Sequence, residues 1–313
     1  MILILTLYAL FATTFILGRE AVLAVPPIFF IGIRMILAGI VLLAFVRIRK
    51  KEPLIIKRQE LFWFAGIVLF QIYGSYVLEF VGLQYLTGAK VSLLYNLAPF
   101  ITALFAYLFF KEILSIRKWI GLAIGFLAFI PVLITEPSIH EAVTENTYAE
   151  ILLILSVTAS CAGWIFMKKL ITDYKHSYVF VNGIGMFLGG CIALVHSYFF
   201  ETWPAFNTLM TNVPFVRSLL LLILIGNIIC YNLYGKLLHK YSTTTLSFFG
   251  ASTPLFAVIF GWLWLGETVS PWFYVTAVLV GVGLYIFYKD ELQNGIIVTN
   301  DSTVASQEED AAR

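Results

Sequence analysis

Runs of about twenty mostly apolar residues, parted by short polar breaks, follow one another along almost the whole chain. They lie at 2–24, 27–47, 60–83, 87–110, 116–135, 149–170, 176–200, 215–239, 243–265 and 270–289. Each is long enough to cross a hydrocarbon core as a helix, and in lipid a helix satisfies its own backbone. The pattern therefore predicts an all-α integral membrane protein with ten transmembrane helices. The first run starts beside Met1 without a basic flank and exceeds a signal-peptide core, so it is expected to be a retained helix. Residues 290–313, which include Glu308-Glu309-Asp310, are polar and expected to be disordered.

The pattern also occurs twice. Tyr76–Ser115 aligns on Tyr231–Ser270 at a constant offset of 155, without a gap over 40 positions. Nine pairs are identical, among them Tyr76/Tyr231, Ser92/Ser247, Pro99/Pro254, Glu112/Glu267 and Ser115/Ser270. A second match, at offset 151, lays Ile31–Ile40 over Asn182–Cys191 with five of ten positions in common. The expected organisation is a first repeat at 1–135, an outer linker at 136–148, a second repeat at 149–289 and the tail.

Composition agrees with a bilayer protein. Hydrophobic residues make up 60% of the chain and charged residues 12%, with a mean hydropathy of +0.92. A soluble protein of this size, with a norm of roughly 45–50% apolar residues, could not bury so much. The net charge of +2 gives no reason to expect nucleic acid as a partner. Cys161, Cys191 and Cys230 fall inside apolar runs, which suggests buried thiols rather than disulfides or metal ligands. Charge is more informative as topology. With a cytoplasmic N-terminus, 16 of the 20 Lys and Arg residues fall on the inner side, leaving Arg19, Arg34, Lys90 and Arg217 toward the outer one. Both termini are then cytoplasmic. Five spans per half is odd, so the second half inserts upside down and the repeats are inverted.

Arg34 within Ile-Arg-Met-Ile-Leu-Ala-Gly, and the twin blocks Ala98-Pro99…Phe110-Lys111-Glu112 and Thr253-Pro254…Leu265-Gly266-Glu267, resemble the drug/metabolite transporter superfamily, EamA-type branch. The resemblance implies a ten-helix carrier of two EamA repeats that moves small organic metabolites by alternating access without ATP hydrolysis. Lys111 stands where that family commonly has Gly, and Gly185 replaces the Arg of the first repeat.

Several residues have readings of their own. Pro99 and Pro254 remove a helix hydrogen bond and are expected to kink spans 4 and 9. Glu112 and Glu267 are expected to cap neighbouring helix ends, and Ser115 and Ser270 the spans that follow them. Gly121-xxx-Gly125, Gly185-xxx-Gly189 and Ala257-xxx-Gly261 are read as close helix contacts. Arg19, Glu20, Arg34, Glu79 and Lys90 gather toward the outer third of the bilayer, where an insertion cost of at least about 2.5 kcal/mol demands partners or water. Two readings stand for Arg34 and Glu79: an outer gate of ion pairs, or contacts to the carboxylate and ammonium of a substrate.

Arg34, Tyr76, Glu79, Tyr95, Asn96, Trp164, Asn182, Asn227 and Tyr231 form the candidate substrate-binding set. Tyr76 and Tyr231, as repeat equivalents, are expected to face each other. Against this, Tyr and Trp also anchor helices and Asn also joins them, so only part of the set is expected to touch a cavity. If a proton couples transport, Glu79 is the first candidate and Glu20 the second; a counter-metabolite is the other option.

The expected function is secondary active transport of a small metabolite across the bacterial inner membrane, with an amino acid or a derivative such as S-adenosylmethionine favoured. Import, export and exchange are not separable at this level. The alternatives are a drug or other metabolite exporter of the same fold and a lipid-modifying membrane enzyme. The four His residues are scattered and show no metalloenzyme motif, so neither a metal nor a cofactor is expected.

Overall fold

The computed structural model describes residues 2–50, 55–86, 88–130, 147–260, 262–263 and 271–293, without the side chains of 50, 87–90 and 291–293. Among them there is no strand, and nine helices are long and apolar enough to span a bilayer. These are α1 Ile2–Ala24, α2 Pro27–Arg49, α3 Arg58–Leu83, α4 Val91–Phe110, α6 Thr147–Thr172, α7 Tyr178–Phe200, α8 Val213–Leu238, α9 Thr243–Phe260 and α10 Pro271–Asp290. Between α4 and α6 lies α5, Ile116–Leu127, whose expected continuation to 135 falls outside the described residues. The architecture is thus a multi-pass helical membrane protein of two inverted five-helix repeats.

Helix ends follow local chemistry. The hydroxyls of Ser115, Ser177 and Ser242 and the Asn212 side chain accept from backbone N–H groups at the starts of α5, α7, α9 and α8. α2 begins with Pro27 and lacks a cap of its own; Glu201, beyond α7, supplies one by accepting from Ile28 N at 3.0 Å and Phe29 N at 2.7 Å. Glu112 Oε1 is buried without a hydrogen-bond partner, and Glu267 and Ser270 lie outside the described residues. The tail boundary also moves: helix continues through Asp290 to Gln293, and Asp290 is buried, accepting from Ser115 Oγ at 2.6 Å. Residues 294–313 lie outside the described part.

Lys111 ends α4 in the left-handed conformation, φ 57°. Its N–H bonds Tyr107 O and that of Glu112 bonds Ala106 O, the closing pattern in which glycine avoids the Cβ penalty. Lys111→Gly should therefore raise stability by about 0.5 kcal/mol, after loss of the ammonium contact 5.6 Å from the Tyr107 ring. Thermal denaturation in detergent reads this out, and a lower melting temperature would refute it.

The repeat symmetry is visible in the irregularities. Helix α3 widens to a π-helical stretch at Ile67–Gly74 and α8 does so at Leu222–Cys230, starting 155 residues later. Helix α4 tightens to a 3-10 turn at Tyr95–Leu97 and α9 at Gly250–Ser252, again 155 residues on. Pro99 and Pro254 sit just beyond these turns, where the missing N–H breaks the ladder. Equivalent elements also meet each other, as a two-fold axis requires. α2 packs along α7 closely enough that a Cβ on Gly39 would come within 2.6 Å of Phe187 N, and one on Gly190 within 2.8 Å of Ile36 N. α5 packs on α10 in the same way, through Gly121 and Gly283. Gly185 and Gly189 admit Ile67 and Ile72 of α3. The small-residue patterns are packing surfaces, apart from Gly261, which is outside the described residues.

Candidate functional site

Seven helices, α1 to α4, α6, α8 and α9, enclose a central cavity of about 120 Å³. Arg34 from α2 and Glu79 from α3 are the charged residues on its wall. The Arg34 side chain, 2% exposed, has no hydrogen-bond partner at Nε or at one Nη, Nη2. Tyr76 and Phe80, adjacent rings on α3, pack against the guanidinium with centroids 4.6 and 4.8 Å from Cζ. An arginine whose Nε and Nη2 are unpaired carries two parallel donors of the spacing that fits a carboxylate.

Glu79 lies one turn beyond Ser75 and accepts from the Tyr95 hydroxyl at 2.7 Å. That hydroxyl is 3.4 Å from Ser156 Oγ, which donates to Ser75 O at 2.8 Å, so the carboxylate is held by a chain from α4, α6 and α3. The 3-10 turn places Tyr95 there: it begins at that residue, and Phe15 packs its ring at 5.4 Å.

The second repeat supplies aromatic surface. Trp164 and Tyr234 stack at 3.8 Å and 20°, and Trp164 lies 5.1 Å from Tyr231. Tyr231 in turn stacks on Tyr76 at 6.1 Å and 29°, bringing the repeat equivalents face to face. A continuous band of rings thus runs from Trp164 through Tyr231 and Tyr76 to the Arg34 guanidinium. One end of the cavity is charged and built by the first repeat; the other is flat, aromatic and built by the second.

Six of the nine residues singled out from sequence line this cavity: Arg34, Tyr76, Glu79, Tyr95, Trp164 and Tyr231. The three amides do not. Asn182 donates to Asn232 Oδ1 at 3.1 Å, and Asn232 donates to Ile228 O at 2.8 Å, which joins α7 to α8. Asn227 donates to Met35 Sδ at 3.1 Å, and Asn96 is buried away from the cavity wall. Glu20 is also elsewhere, paired with Arg217 and accepting from Ser218 Oγ at 3.0 Å, an α1–α8 link that leaves Glu79 as the acidic group on the wall. Arg19 donates to Leu83 O, and the Lys90 side chain is outside the described residues.

Tyr8 and Tyr234 are wall residues outside the nine. Tyr8 donates its hydroxyl to Leu246 O across 238 positions, a pairing no local pattern reveals. Tyr234 is the counterpart of Glu79 at offset 155, and that divergence between the halves marked the position in the sequence as one where recognition is expected.

The model of the EamA-like transporter family matches residues 1–134 and 147–289, the two halves in turn. The S-adenosylmethionine/S-adenosylhomocysteine transporter of Chlamydia muridarum is 33% identical over 93% of this chain and 92% of its own. The protein of the same description from Chlamydia trachomatis serovar L2 is 33% identical over 93% of this chain and 90% of its own. A crystal structure at 15% identity superposes with a TM-score of 0.68 over 91% of this chain and 93% of the other, a likeness of fold.

Proposed function

The chain belongs to the EamA-like transporter family, and we propose that it carries S-adenosylmethionine and S-adenosylhomocysteine across the membrane by alternating access, with both termini in the cytoplasm. The observation that carries this reading is the bare Nε–Nη edge of a buried Arg34 at one end of an aromatic-walled cavity. An α-amino acid offers a carboxylate to that edge and an ammonium to Glu79. A purine then has Trp164, Tyr231 and Tyr234 on which to stack. The description of the two chlamydial relatives supports the same ligand class.

The site residues proposed are therefore Arg34 for the carboxylate, Glu79 held by Tyr95 for the ammonium, and Tyr76, Trp164 and Tyr231 with Tyr234 for the aromatic part. A carrier role asks of these groups only binding and release, and no step of bond making is assigned to them.

Uptake of radiolabelled S-adenosylmethionine into proteoliposomes tests the proposal. Unlabelled S-adenosylhomocysteine should compete. Methionine lacks the base, and base stacking is worth about 1–3 kcal/mol, so it should need roughly tenfold or more higher concentration. Adenosine lacks the amino-acid head and should compete as poorly. Uptake blocked by hydrophobic cations but indifferent to S-adenosylhomocysteine would favour the drug exporter instead.

A further inference from the structure

Charge on the cavity wall has an energetic consequence. Among the described residues, Arg34 and Glu79 contribute one positive and one negative charge to the wall, and the others lining it are neutral. The Tyr95 hydroxyl is already engaged, donating to Glu79 at 2.7 Å. The two ligands of the preceding reading differ by one charge. S-adenosylhomocysteine is a zwitterion whose carboxylate and ammonium match Arg34 and Glu79 one for one. S-adenosylmethionine has the same pair and a sulfonium besides, for which the described wall residues include no second carboxylate; the faces of Tyr76, Tyr231 and Trp164 offer cation–π stabilisation but no counter-charge.

Because both ligands bring an ammonium, Glu79 has a cation to hold whichever is bound, and nothing in the difference between them asks it to take up a proton. Resting on the substrate reading, we infer that exchange of S-adenosylmethionine for S-adenosylhomocysteine is electrogenic, moving one net positive charge per turnover with the sulfonium, and that the membrane potential rather than a proton gradient drives it. The charge balance is closed: the loaded carrier crosses with the net charge of its ligand, one in one direction and zero in the other. An inside-negative potential then draws the sulfonium inward and expels the thioether. One elementary charge across 100 mV shifts the equilibrium distribution by roughly 50-fold.

The test uses full-length protein in liposomes loaded with S-adenosylhomocysteine, with potassium gradients and valinomycin setting the potential and pyranine reporting internal pH. Labelled S-adenosylmethionine should accumulate roughly 50-fold more, relative to the S-adenosylhomocysteine gradient, at 100 mV inside negative than at zero, without a pH change inside. Exchange of S-adenosylmethionine against itself should reach the same end point at either potential. Accumulation that ignores the potential while protons flow against the substrate would overturn the inference and make Glu79 a proton carrier. Absence of even the self-exchange would instead overturn the substrate assignment, and the inference with it.

Discussion

Transport falls by roughly 10- to 150-fold when Arg34 is replaced by lysine, although the positive charge is kept. The guanidinium is buried against Tyr76 and Phe80 with Nε and Nη2 unpaired, so its use lies in two parallel donors at fixed spacing. An ammonium on a flexible stem offers a point charge in place of that fork, and one lost charge-assisted hydrogen bond costs about 1.5–3 kcal/mol. Arg34→Met separates function from folding. With no hydrogen bond to its Nε and Nη2, the buried cation is a cost to the fold, and its removal should raise the melting temperature while ending transport. Initial uptake rates and thermal denaturation of the two variants check this; lysine supporting near-wild-type uptake would sink the carboxylate assignment.

Gly190→Val should prevent recovery of folded protein. The new side chain would start 2.8 Å from Ile36 N and 3.0 Å from Gly32 O, and backbone atoms inside a helix have no rotamer by which to withdraw. Helices α2 and α7 would have to separate along the seam between the repeats, and overpacking alone costs about 1–3 kcal/mol before any loss of neighbouring contacts. Gly281→Val is the matched control, since a Cβ there meets nothing within 4 Å. Size-exclusion chromatography in detergent should show a monodisperse peak for the control and aggregate for Gly190→Val. Equal behaviour of the two would mean that the seam is not rigid.

The architecture was legible because a bilayer imposes a length, a composition and a charge asymmetry that can all be counted along the chain. Arg34 and Glu79 were legible for the same reason, since charge at membrane depth needs an explanation. The amides were not. Whether an asparagine faces a cavity or a neighbouring helix depends on helix rotation, and Asn227 lies inside the π-helical stretch of α8, where a count of 3.6 residues per turn no longer predicts direction. The Glu20–Arg217 pair joins residues 197 positions apart, and a scan for charges could place both near one surface without showing that they meet. Tyr234 carried a signal in its mismatch with Glu79, but a ring in a chain with 16% aromatic residues says little by itself.

The two π-helical stretches also bear on how the halves meet. Residues after a π-helical turn are rotated about the helix axis relative to a plain α-helix. The widening comes in both halves, starting 155 residues apart and ending next to Tyr76 and Tyr231. It therefore re-aims the same face of each helix, and the two rings stack where those faces meet. The contact between the repeats is set by a backbone irregularity that both of them share.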